Sequence, residues 1–181
     1  MATEKKLFTA DELLRLPRGQ NRHELIRGEL KTMSPSGEEH GVVAGEVFGV
    51  VRDYVKTNRL GYVLAAETGF FITHDPDTVR APDMAFISAR RFPISGPSAK
   101  YSEIAPDLLA EVVSPSDSEN EVIEKVQQWL AFGVRLVWVV YPRTRSVIVY
   151  RSLQRLTSED QLTGEDVLQG FSCKVADLFP Y

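Results

Sequence analysis

Between Asp107 and Val113 the chain reads DLLAEVV, and this segment restricts the fold more than any other. Leu108, Leu109, Ala110, Val112 and Val113 make both faces of an extended segment apolar, and a Ser-Pro-Ser turn at 114–116 closes it. Such a run reads as a strand covered on both sides, which requires layers above and below a sheet. Glu111 stands in its middle. Burying an unpaired carboxylate costs several kcal/mol or forces protonation, so a partner or a function must account for it.

The flanking sequence supplies the covering layers. Ser118 begins SENE, a capping box that predicts a helix to about Phe132, with Gly133 just past its end. In that helix Val122, Val126, Trp129 and Leu130 share a face, with Lys125 at its edge on the Trp129 side. Thr9 begins TADE, a second capping box, which predicts a helix over 10–15 that Pro17 stops. HELIRGELKTMSP alternates around Arg27-Gly28 as a β-hairpin. SGEE from Ser36 predicts a longer helix with Val42, Val43, Val47, Val50, Val51, Tyr54 and Val55 as its apolar stripe, ended by Gly61.

YVLAAETGFFIT and VRAPDMAFIS read as two strands joined at HDPDT. Residues 90–106, with three prolines and a glycine, read as a surface loop, while RLVWVVYP and SVIVYRS form a strand pair around RTR. The tail, 164–181, adds a strand segment and a short helical turn. No repeat interrupts this order, so 1–181 is expected to be one domain. The expected class is α/β: a mixed sheet with a partly antiparallel meander, flanked by helices on both faces, with an N-terminal helix and hairpin.

Composition narrows the function classes. Hydrophobic residues at 43% and charged residues at 25% are an ordinary globular mixture, and the net charge of −4 gives no general attraction to nucleic acid or anionic membrane. A nucleic-acid partner therefore needs a local basic surface. The single cysteine, Cys173, excludes an internal disulfide, fits a reducing compartment and reads as a small half-buried side chain. The first residues lack the apolar core of a signal peptide, and the longest apolar run, LVWVVY at 136–141, is too short to cross a bilayer. A cytoplasmic protein without membrane attachment is expected.

Glu111 has a counterpart in RAPDMAFIS, where Pro82 marks a strand entrance and Asp83 is expected as its first paired residue. Asp83, Ala85 and Ile87 share one face, Met84 and Phe86 the other. Two acids on neighbouring strands repel unless a proton or cation separates them. Mg²⁺ typically takes one or two carboxylates, several waters and phosphate oxygens. Lys125 can lay its stem along the core and aim its ammonium at the sheet end, to hold a water or offset charge on a phosphorane-like transition state.

The Pro82-Asp83 pair followed by Glu111 resembles the PD-(D/E)XK nuclease superfamily, whose fold is restriction-endonuclease-like. The superfamily's usual lysine, two residues after the second acid, is Val113 here. RAPDMAFIS, APDLLAEVVSPSDS, EKVQQWLAFGVRLVWVVYP and ELIRGELKTMSPSGEEH together resemble the Uma-two endonuclease branch, over roughly residues 8–180. The resemblance implies that the lysine has migrated to the following helix, as Lys125. It also implies that Asp83 and Glu111 bind Mg²⁺, with Mn²⁺ as a substitute, and that the reaction is hydrolysis of a DNA phosphodiester by metal-activated water. Pairing of subunits, as a homodimer or higher homo-oligomer, fits cutting of two strands.

Plainer readings stand beside these. Asp83 could cap a turn, Glu111 could pair with Arg80 or Arg135, and Lys125 could be a solvated helical lysine. Glu24 could line the site or form a cross-strand ion pair with an arginine. Glu67 could be a further ligand or a solvated strand residue, and His40 could reach phosphate or help its helix start. Arg90, Arg91 and Lys100 could touch a DNA backbone, while Ser114 and Ser116 lack a G-x-S-x-G elbow and read as turn residues. The histidines show no zinc-type spacing. The rival function is a catalytically inactive nuclease-like scaffold that binds nucleic acid or a protein. A third is a hydrolase of small phosphate esters.

Overall fold

A computed structural model describes residues 6–17, 22–93, 95–151 and 154–181; Ser152, at the end of the expected SVIVYRS strand, lies outside them. The chain opens with α1 (Ala10–Arg15), where the Thr9 hydroxyl accepts the Glu12 N–H at 3.2 Å and the Glu12 carboxylate accepts the Thr9 N–H at 2.9 Å. The hairpin follows as β1 (Arg22–Ile26) and β2 (Glu29–Met33), turning through Arg27-Gly28 at positive φ. Next comes α2 (Glu38–Asn58). Gly37 is its N-cap without a side-chain bond, so the expected Ser36 box does not form. Arg59, in the left-handed conformation at φ 53°, ends the helix rather than Gly61. Gly61 instead starts the next strand, where a Cβ would stand 2.2 Å from the Ile87 carbonyl oxygen.

The two strands expected across 62–88 are four: β3 (Gly61–Ala65), β4 (Phe70–Thr73), β5 (Thr78–Arg80) and β6 (Met84–Ser88). The breaks have physical causes. Pro82 has no N–H for a ladder bond, and Glu67 sits in a turn at φ 72°. After the loop come β7 (Leu108–Val112), α3 (Glu119–Phe132), β8 (Leu136–Tyr141), β9 (Ser146–Tyr150), β10 (Gln154–Leu156), β11 (Gln161–Gly164) and β12 (Leu168–Lys174). A one-turn helix at Val175–Leu178 closes the tail, which carries more strand than expected.

Among the described residues the strands form a six-stranded sheet of order β10-β9-β8-β7-β6-β3, a four-stranded sheet of order β2-β1-β5-β4, and the pair β11-β12. In the six-stranded sheet only β7 and β8 pair in parallel, joined by the α3 crossover; the other pairs are antiparallel. This is the mixed, restriction-endonuclease-like sheet with a helix on each face. Val43, Val47, Val51 and Val55 of α2 pack with Met84, Phe86, Leu108 and Ala110, whereas Val42 is 40% exposed. Val122, Val126 and Trp129 of α3 pack with Ala85, Ile87, Leu109 and Val137 on the other face, and Leu130 is exposed. Alternate residues of β7 thus point at different helices, and the parity of Glu111 places it under α3.

Candidate active site

Pro82 and the preceding break carry the chain out of the four-stranded sheet and into β6. Asp83 therefore lies in the bend immediately before β6 rather than as its first paired residue. Strands β6 and β7 run antiparallel with Met84 opposite Ala110, and continuing that register by one step sets Asp83 opposite Glu111. The Asp83 Oδ2 accepts the Val112 N–H at 2.7 Å, which ties the bend to the end of β7. The predicted juxtaposition of the two carboxylates is thus made by a bend and a strand instead of two paired strands.

Glu111 is almost wholly buried, at 7% exposure. The Trp129 indole N–H donates to its Oε1 at 2.8 Å, and the Lys125 ammonium lies 3.5 Å from its Oε2. Burial pushes the Glu111 carboxyl up to about 7, with Asp83 and Glu24 adding repulsion against the pull of Lys125. The same partnership works the other way on Lys125, whose ammonium Glu111 holds protonated far above neutrality. The arginine alternatives for Glu111 do not occur: Arg80 binds Glu24, and Arg135 binds Asp107 and Asp166.

A third acid lies beneath. Glu24 accepts from Arg80 at 2.8 Å and from the Ala81 N–H at 3.2 Å, which is the cross-strand ion pair considered for it, and Arg80 donates its Nε to Gln128 at 2.6 Å. The floor of the site so carries Glu24, Asp83 and Glu111 with Lys125, and Arg80 is buried behind Glu24. His40, in the first turn of α2, places Nε2 3.4 Å from Asp83 Oδ2, and that contact raises its pKa. Glu67 is solvated in its turn and pairs with Arg22.

Glu24, His40, Glu67, Asp83, Glu111 and Lys125 line one groove of about 1050 Å³ between the hairpin, the start of α2, the end of β7 and the start of α3. Lys31 of β2 crosses its mouth to Glu121 of α3 at 3.0 Å. Ser114 and Ser116 lie on its rim, and the Asp117 carboxylate accepts the Ser114 N–H at 2.8 Å in the turn into α3. Arg91 is instead bound to Asp107, at the opposite end of β7 from Glu111. Cys173 plays no part, and burial lifts its thiol to about 11.

Among the described residues no three His, Cys, Asp or Glu side chains converge as a ready-made cation site. Of the three carboxylates on the groove floor, Glu24 is taken up by Arg80 and the Ala81 N–H, which leaves Asp83 and Glu111 opposite one another in register. Hard oxygen donors in excess over cations suit a hard divalent cation that keeps waters and takes further oxygens from a substrate. Trp129 and His40 are the residues that sequence reasoning underrated. Trp129 read as a core residue, and only its place one turn after Lys125, on the face toward Glu111, signalled otherwise.

Residues 10–176 match the Uma2 family, described as "Putative restriction endonuclease". The chain belongs to the Uma2 family. Among solved structures it is similar to "a putative nuclease belonging to DUF820" from Anabaena variabilis ATCC 29413, with a TM-score of 0.80 and 24% identity over 95% of this chain and 97% of that one. At that identity the likeness establishes the fold. No curated protein matches the chain. Among the described residues no helix is long and apolar enough to cross a membrane. Membership in Uma2 supports nuclease-type chemistry on nucleic acid.

Proposed function

We propose that this Uma2 protein is a Mg²⁺-dependent DNA endonuclease that hydrolyses phosphodiester bonds, with Mn²⁺ able to substitute. The observation that carries the reading is the facing pair Asp83 and Glu111 on the floor of an open groove, with Lys125 3.5 Å from Glu111. A groove of about 1050 Å³ lies at the upper end of the range for small-molecule pockets, and its open form suits a polymer better than a small phosphate ester.

Asp83 and Glu111 would hold the cation, which when bound acidifies a water and neutralises phosphate charge. The Glu111 carboxylate favours the protonated form of Lys125 beside it, so the role of Lys125 is that of a cation. Its ammonium orients the attacking water and offsets the charge that grows on the phosphoryl oxygens. His40 and the Val112 N–H hold one oxygen of Asp83, leaving the other to face the groove. A homodimer would present two such grooves to two strands, and sedimentation of the protein with and without duplex DNA tests that assembly.

Calorimetric titration with Mg²⁺ or Mn²⁺ tests the site itself. Wild-type protein should bind the cation and Asp83→Ala should not. Equal heats from both, or none from either with no cleavage, would leave a nucleic-acid-binding scaffold as the better reading.

A further inference from the structure

We infer that Trp129 is a positioning residue for the reaction, fixing Glu111 so that a single carboxylate oxygen faces Lys125 and the groove. The inference rests on the nuclease reading and deepens it. Trp129 is completely buried, and its ring is set by packing: Phe70 of β4 stands edge-on to it at 5.9 Å and 85°, and Phe132 flanks it at 6.4 Å. Its N–H therefore has one direction, and the acceptor in that direction is Glu111 Oε1 at 2.8 Å. With Oε1 held, the carboxylate cannot rotate, and Oε2 is the oxygen that meets Lys125.

The chain contains an internal comparison. Its other tryptophan, Trp138, is also completely buried, yet its Nε1 has no hydrogen-bond partner among the described residues. A buried indole N–H without an acceptor is thus tolerated in this core. Glu111 gains more from the contact than the indole does: it is a buried acid in an apolar layer, and the indole N–H is the donor that meets its Oε1. Partners of this kind around metal-binding and catalytic side chains typically alter affinity or activity ~10–100-fold when removed.

The test pairs Trp129→Phe with Trp138→Phe, each of which removes one buried indole N–H and keeps an aromatic ring. Plasmid cleavage in Mg²⁺ should lose at least ~10-fold in kcat with Trp129→Phe, with KM within about twofold, while Trp138→Phe keeps the wild-type rate. The second readout is the pair of indole N–H cross-peaks in a ¹⁵N correlation spectrum, assigned by the same two variants. The Trp129 peak should move on adding Mg²⁺ and in Glu111→Gln, and the Trp138 peak should not. A wild-type kcat in Trp129→Phe, or a Trp129 peak indifferent to both Mg²⁺ and Glu111→Gln, overturns the inference. If wild type cuts nothing, the nuclease reading fails by itself, and a Trp129 peak that follows Mg²⁺ still supports the positioning role.

Discussion

Replacing Glu111 by glutamine should stabilise the metal-free protein at alkaline pH and leave it almost unchanged in acid. The folded value of about 7 lies above the ordinary 4.5. A raised acid contributes stability that is fully present below about pH 4.5 and is lost as pH rises through 7. Those values differ by about 2.5 pH units, and at 1.36 kcal/mol per unit the ionised Glu111 costs the fold about 3 kcal/mol above pH 8. Glutamine copies the shape of the protonated acid, can still accept the Trp129 N–H, and never ionises. Lys125 lines the groove and can swing its ammonium toward water when its partner is gone. Urea unfolding in EDTA, at pH 5 and pH 8.5, is the assay. With a slope of ~2 kcal/mol per molar, the midpoint of Glu111→Gln should exceed wild type by roughly 1.5 M at pH 8.5 and by little at pH 5. Added Mg²⁺ should narrow the gap at pH 8.5 by stabilising the ionised acid of the wild type. A variant equally destabilised at both pH values, or a gap that shrinks as pH rises, would refute the reasoning.

Two further outcomes follow from contacts around the site. Arg80→Met leaves Glu24 buried without its cation and should cost about 3 kcal/mol in the same unfolding assay; a loss below about 1 kcal/mol would mean that Glu24 finds another partner. Ser118→Ala removes the hydroxyl that accepts the Glu121 N–H at the start of α3, leaving the Ser118 backbone N–H bond to the Glu121 carboxylate, and should cost about 1 kcal/mol, visible as a Tm lowered by roughly 2–4 °C, with an unchanged Tm counting against the cap.

What could be read ahead of the structure was local. The apolar run around Glu111, the boxes at Thr9 and Ser118 and the Arg27-Gly28 turn each depend on residues a few positions apart, and each formed as expected. The splitting of 61–88 into four strands shared between two sheets depends on contacts between distant segments. Gly69, where a Cβ would stand 2.4 Å from the Tyr101 ring, marks such an approach. Ser36 shows the limit of a local pattern, because the chain enters α2 one residue later, through Gly37. At the site, the carboxylate in an apolar run and the place of Lys125 at the edge of the α3 face could be read from the sequence, whereas their 3.5 Å contact could not. The contact of His40 with Asp83, and the choice of Arg80 for Glu24 instead of Glu111, are tertiary, and no spacing in the sequence encodes them.

The most direct measurement is cleavage of supercoiled plasmid and single-stranded DNA in Mg²⁺ or Mn²⁺ by wild type, Asp83→Ala, Glu111→Ala and Lys125→Ala. Metal-dependent cutting by wild type, abolished in the two carboxylate variants and reduced at least ~100-fold without the lysine, is the expected result. Cutting that persists without Glu111, or a wild type that binds DNA yet never cuts it with either metal, would contradict the assignment of this groove as a phosphodiesterase centre.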